Sequence, residues 1–182
     1  GTDCGDTATV FVNIFPAINA DFEFAYDTCV AGPVAFTDLS VSGSGQITDW
    51  AWELGDGNTS NEQNPNHTYR APGDIPASLT VTDINNCQDT RTRNIPYFPV
   101  PAVLIVSPSE FLGCTPAEIF FNNLSTPIDE TYDIFWDFGD GGSSTDISPV
   151  HTFENPGTYS VSLDLVSPIG CETDTVFNDL IT

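Results

Sequence analysis

Apolar and polar residues alternate in short runs along most of this chain. Phe22, Phe24 and Tyr26 stand at every second position, as do Trp50, Trp52 and Leu54, and then Leu79 and Val81. The same period returns as Ile134, Trp136 and Phe138, and as Tyr159, Val161, Leu163 and Leu165. A period of two sends successive side chains to opposite faces, so each run predicts a half-buried β-strand. Clusters of Gly, Pro, Asn and Asp separate the runs and predict turns. No stretch sustains a 3.6-residue period with capping residues, so the expected fold class is all-β.

The runs belong to an internal repeat. Trp52-Glu53-Leu54-Gly55-Asp56-Gly57 returns 84 residues later as Trp136-Asp137-Phe138-Gly139-Asp140-Gly141. Pro65-Asn66-His67-Thr68-Tyr69 returns at the same offset as Pro149-Val150-His151-Thr152-Phe153, and Pro72-Gly73 as Pro156-Gly157. The cysteines keep the rhythm: Cys29 and Cys114 are 85 apart, Cys87 and Cys171 are 84 apart, and Cys4 precedes Cys87 by 83. Residues 1–18 then read as the last strand of a preceding repeat, followed by repeats at 19–101 and 102–182. The proline-rich stretch from Pro96 to Pro101 is a short, stiff boundary, because proline holds φ and favours extended chain. About seven short strands per repeat predict tandem two-sheet sandwiches of immunoglobulin type.

Composition narrows the function classes. The 182 residues carry 26 Asp+Glu against 3 Lys+Arg, a formal charge of -23. With 40% hydrophobic and 12% aromatic residues, the chain can still build a core, which sets it apart from a disordered acidic tail. The charge excludes nucleic acid as a direct partner and argues against an anionic membrane surface. No apolar run approaches the roughly 18 residues of a spanning helix, so no membrane insertion is expected from this segment. An acidic surface without lysine suits saline surroundings, where ions screen self-repulsion. The start, Gly1 to Asp6, lacks the basic and apolar regions of a signal peptide, and the chain is expected to be a window on a longer polypeptide.

Trp-Asp-Phe-Gly-Asp-Gly, then Pro-x-His-Thr-Tyr/Phe, then Pro-Gly-x-Tyr and alternating Val/Leu, resembles the PKD domain. The second repeat is the fuller match, from Trp136 to Leu163. The first departs with Glu53-Leu54 for Asp-Phe, and lacks the tyrosine after Pro72-Gly73. The resemblance implies extracellular, immunoglobulin-like sandwiches that act as spacers or binding modules. The cysteine-bearing tandem form is similar to repeats of giant surface and gliding adhesins and surface filaments of Bacteroidota-type bacteria. It implies a bacterial cell-surface location, neighbouring repeats of the same chain as partners, and other copies if a filament or bundle forms.

Candidate residues follow. Cys29 and Cys87 are 58 apart, Cys114 and Cys171 are 57 apart, and this equal spacing leads us to expect one bridge per repeat, Cys29–Cys87 and Cys114–Cys171. Cys4 is left to a missing repeat. Asp56 and Asp140, each between glycines after a strand, read as turn residues that bond nearby backbone. The alternative is calcium, with Asp146 as a further ligand, which would require six to eight converging oxygens. His67 and His151 read as packed or capping histidines, and Trp52 and Trp136 as core. Thr7 and Thr175 sit in Asp-Thr-apolar triplets of the kind used for bacterial O-glycosylation. Asn58, Asn66 and Asn123 head N-x-S/T triplets that are expected to be silent in a bacterium. No catalytic residue stands out: G-x-S-x-G, H-E-x-x-H and P-loop patterns are all missing.

The expected function is a non-catalytic stalk or spacer of a bacterial surface adhesin or filament. The alternative is a pair of accessory domains that bind polysaccharide or protein for a secreted hydrolase. No cofactor is expected beyond calcium as that alternative.

Overall fold

The computed structural model describes residues 12–43 and 45–182. The described chain is all strand and loop, and two sandwiches follow one another along it. In the first, β1 (Ile18–Asn19) pairs with β4 (Val41–Ser42). β2 (Phe22–Ala25), β3 (Val34–Asp38) and β7 (Asn66–His67) form one sheet in the order β2-β3-β7. The facing sheet runs β6-β5-β8-β9, from β5 (Ile47–Glu53), β6 (Thr59–Ser60), β8 (Gly73–Asp83) and β9 (Gln88–Tyr97).

The second sandwich repeats this plan without the small β1/β4 pair. Its three-stranded sheet is β10-β11-β14, from β10 (Val106–Pro108), β11 (Ala117–Asn123) and β14 (Val150–Phe153). Its four-stranded sheet is β13-β12-β15-β16, from β12 (Asp133–Asp137), β13 (Ser143–Ser144), β15 (Tyr159–Val166) and β16 (Glu172–Ile181). All of these strand pairs are antiparallel.

The alternation in sequence becomes the two cores. Trp52 is buried against Phe22 and Phe36, with ring centroids 5.0 and 5.3 Å away. Its repeat mate Trp136 is buried beside Phe121 and stacks at 8° on Phe138. Each indole N–H finds a main-chain carbonyl, Trp52 that of Glu62 at 2.9 Å and Trp136 that of Asp146 at 3.0 Å. A buried indole therefore loses no hydrogen bond on folding. Trp50 is only half-buried, at the margin of the first core, and donates to Asp38.

The first cluster of buried apolar residues extends from Ile18 to Tyr97, and the second from Leu104 to Ile181. The first strand of the first core, β1, falls at the end of the 1–18 segment, and residues 1–11 lie outside the described residues, with Cys4 and Thr7 among them.

Each sandwich has two distinct ends. At one end a tight turn joins the last two long strands, Asp83 to Cys87 in the first repeat and Ser167 to Cys171 in the second. At the other end the last strand leaves the sandwich beside the loop that carries Cys29 or Cys114. There Val100 N–H donates to the Cys29 carbonyl at 2.9 Å, and Thr182 N–H to the Phe111 carbonyl at 2.9 Å. We call these the turn end and the exit end.

This polarity overturns the expected disulfides. Cys29 is bonded to Cys171, with Cα atoms 5.2 Å apart, while Cys87 and Cys114 are free thiols. Cys29–Cys87 would have to span the ten residues of β9, and Cys114–Cys171 the ten of β16. That is about 30 Å of extended strand, and a disulfide reaches only about 7 Å between Cα atoms. The equal spacings of 58 and 57 reflect the repeat period, which an inter-repeat bridge preserves equally well.

Replacing Cys29 by Ser opens a covalent loop with a sequence separation of 142 residues. In the chain-entropy model that is worth roughly 5 kcal/mol, so the melting temperature should fall by about 10 °C or more. A melt unchanged from wild type would contradict the bridge. Trp136→Ala should cost about 3–5 kcal/mol in urea unfolding through the cavity it leaves.

Candidate functional site

Two features stand out as sites: the repeated Gly-Asp-Gly turn with its histidine, and the joint between the sandwiches. The turn is built by glycine. Gly55 and Gly139 adopt φ of 87° and 78°, which L side chains avoid. A Cβ on Gly139 would also lie 2.4 Å from the Ser160 carbonyl oxygen. The chain can therefore fold back tightly over the neighbouring strand and aim the next residue, Asp56 or Asp140, across the turn.

Both carboxylates accept from a histidine of the facing sheet, in β7 or β14. His67 Nε2 donates to Asp56 Oδ2 at 2.7 Å, and His151 Nε2 to Asp140 Oδ2 at 2.9 Å. The same carboxylates accept backbone N–H groups two residues on, from Asn58 at 3.1 Å and Gly142 at 2.9 Å. His151 lies flat on Phe138 with centroids 4.0 Å apart and stands edge-on to Phe153. A side chain on Gly142 would strike this ring, since its Cβ would meet His151 Cε1 at 2.4 Å. In the first repeat Leu54 replaces the phenylalanine and Asn58 replaces the glycine. His67 there stands edge-on to Tyr69, and Asn58 adds a bond to Asp56 at 2.9 Å.

Burial pushes the Asp56 and Asp140 carboxyls up, but the hydrogen bonds from His67 or His151 and from the turn backbone outweigh it. Both sit below the ordinary aspartate value. Asp146 does not join them: its N–H donates to Ser144 Oγ and its carbonyl accepts from Trp136 Nε1–H. Among the described residues, no group of three or more His, Cys, Asp or Glu side chains converges as a metal site would. Thr175 lies half-buried in β16 and donates to the Asp174 carbonyl.

The joint was not legible in the sequence beyond its cysteines and prolines. The exit end of the first sandwich meets the turn end of the second. Val100 runs parallel to Val30, donating to the Cys29 carbonyl and accepting from Ala31 N–H, both at 2.9 Å. Val100 is buried there. Tyr132, just before β12, reaches back so that its hydroxyl donates to the Pro99 carbonyl at 2.8 Å. Burial, then the nearby Asp129 and Tyr97, push the Tyr132 phenol well above its ordinary value, so it stays a donor at neutral pH. The Cys29–Cys171 bridge closes the same seam. Tyr132 carries no sequence mark of this role, because Thr48 holds the matching place in the first repeat.

A depressed carboxyl holds its proton less tightly in the folded state than in the unfolded one. Its stabilisation is therefore full above about pH 4 and is lost as pH falls through the lower folded value. Asp140→Asn keeps the side chain's shape and removes the titration. The stability gap between wild type and this variant should be largest near neutrality and close between pH 4 and pH 2 in urea titrations. A gap that stays constant with pH would remove the ionic part of the Asp140–His151 contact.

Parts of this chain are similar to known proteins. Collagenase ColA of Clostridium perfringens is 35% identical over 66 residues, covering 36% of this chain and 6% of the enzyme. A microbial collagenase of Vibrio alginolyticus is 36% identical over 59 residues, covering 32% of this chain and 7% of the enzyme. The chain thus spans under a tenth of the length of these relatives. The crystal structure of the PKD1 domain from the Vibrio cholerae metalloprotease PrtV is 32% identical, covers 45% of this chain and 95% of that domain, and superposes with a TM-score of 0.40. The family model of the PKD domain matches residues 16–96 and 104–180. With almost its whole described length accounted for in two matches, the chain belongs to the PKD domain family and carries two copies in tandem.

Proposed function

We propose that this chain is a stiff extracellular spacer, two PKD domains that hold the segments at their ends at a fixed separation. As a PKD tandem it is a non-catalytic structural and adhesion module. The observation that carries the spacer reading is the Cys29–Cys171 bridge across the joint. A hinge between domains needs freedom at the seam, and inter-domain motion is the ordinary expectation for a small polar interface. Here a covalent bond, a strand-like contact at Val100 and the Tyr132 hydrogen bond act on one seam together.

For the setting, the comparisons favour accessory domains of a secreted bacterial hydrolase over the stalk of a surface adhesin. Two relatives are collagenases, and the matched stretch is a small part of each. The surface-stalk reading draws its support from the end-to-end stacking. Among the described residues, exposed Phe120 and Phe135 stand on different sheets, and exposed Phe15 and Phe111 lie outside the strands. Asp56 and Asp140 we assign to turn locking through their histidines, with calcium as the competing role.

One experiment separates these readings. Small-angle scattering of the chain should give an elongated particle whose maximum dimension is unchanged by calcium or chelator and grows more variable with reductant. A flexible ensemble under oxidising conditions would overturn the spacer. Stiffening only with calcium would move the aspartates from turn chemistry to cation binding. Co-sedimentation with collagen fibrils adds the setting: retention supports the hydrolase accessory, and loss to the supernatant of a rod-like chain supports the stalk.

A further inference from the structure

The two free thiols lie at the places where the bridged pair has its repeat mates. We propose that Cys87 and Cys114 are unpaired halves of two more bridges of the same inter-repeat kind. Cys114 would bond the turn-end cysteine of a PKD repeat stacked beyond it, and Cys87 the exit-end cysteine of a repeat stacked before it. The partner is thus another repeat of this type, and the array is covalently linked at every seam.

Cys87 is presented as Cys171 is. Asp83 N–H donates to the Cys87 carbonyl at 3.0 Å, and Ser167 N–H to the Cys171 carbonyl at 2.8 Å. The preceding side chain closes each turn, Asp83 Oδ1 accepting from Cys87 N–H at 3.0 Å and Ser167 Oγ from Cys171 N–H at 3.1 Å. The residue before each cysteine has positive φ, 60° at Asn86 and 84° at Gly170. The same kind of turn therefore carries the cysteine in both repeats, with Cys87 half-buried at the margin of the first core.

Cys114 sits at the exit end of the second sandwich, as Cys29 does at that of the first. It borders a groove of about 330 Å³ lined also by Phe153, Pro156, Tyr159 and Ile181. At the first exit end the outgoing Val100 lies buried against the Cys29 loop. At the second, Phe111 and Leu112 next to Cys114 are 58% and 72% exposed. An apolar surface of this kind, continuous with the chain's exit, suits the turn end of another sandwich.

Two polar contacts of the inner seam would not recur. Pro116 stands where Ala31 donates its N–H, and Thr48 stands where Tyr132 reaches back. The sulfur bridge then carries a larger share of those seams.

Each bridge forms by thiol–disulfide exchange with oxidised glutathione as the donor. The Cys114 thiolate attacks one donor sulfur, giving a mixed disulfide and releasing one reduced glutathione. The partner cysteine's thiolate then attacks the Cys114 sulfur and releases the second, so the two electrons and both protons leave on two glutathione thiols.

The test extends the full chain after Thr182 with a second copy of residues 99–182, which keeps the 84-residue register. The added copy carries Val176→Ala as a mass tag, and oxidised glutathione is the disulfide donor. Non-reducing peptide mapping should find Cys114 joined to the tagged copy's Cys171 and Cys29 joined to the untagged one. Cys114→Ser should leave Cys29–Cys171 intact and release the tagged cysteine as a free thiol. Cys114 remaining free, or joined to Cys87, would overturn the proposal. The inference builds on the spacer reading, yet the two fail separately: mapping decides the bridge, and scattering of the native chain decides the stiffness.

Discussion

The polarity of the sandwich is the constraint from which the rest follows. In each repeat the two cysteines lie at opposite ends of a ten-residue strand, far beyond disulfide reach. No bridge can close within a repeat, so the sulfur chemistry is directed outward to the neighbour. The observed bond therefore does more than stabilise a small core. It fixes the relation between two bodies that would otherwise pivot about a proline-rich connection.

Inside each repeat a different device carries the local order. The buried tryptophan anchors the facing sheets, and its N–H is satisfied by a carbonyl in the loop after the Gly-Asp-Gly turn. The turn itself is held by aspartate and histidine. The histidine ring in turn rests on aromatic residues of the core, Tyr69 in one repeat and Phe138 with Phe153 in the other. Tryptophan, turn and histidine thus form one connected unit, which explains why these residues recur together at one offset. It also leaves the histidines and aspartates occupied with each other, an arrangement suited to holding shape.

The charge of -23 fits the same picture. The three arginines all lie in the first repeat, where Arg93 donates to Asp21 at 2.8 Å and sits over the Phe22 ring. Most carboxylates have no cationic partner to offset them, so repulsion between faces favours an extended arrangement and discourages side-by-side collapse. A covalent seam holds against that repulsion without needing a large apolar interface.

The period of two and the 84-residue repeat were enough to determine strands, sandwiches and the two tryptophan cores. These are local patterns whose physical consequence, one buried face per strand, does not depend on the partner strand. The spacing of Gly-Asp-Gly and Pro-x-His was also visible, although the contact between aspartate and histidine was not, because it depends on how the turn approaches the strand that carries the histidine. Cysteine pairing was beyond the sequence for a sharper reason. A periodic chain repeats every spacing, so a bridge within one repeat and a bridge to the next have the same regularity on paper. Only the tertiary structure shows at which end of the sandwich each sulfur emerges. The Tyr132 and Val100 contacts are of the same kind: they exist only because one sandwich's exit end meets another's turn end.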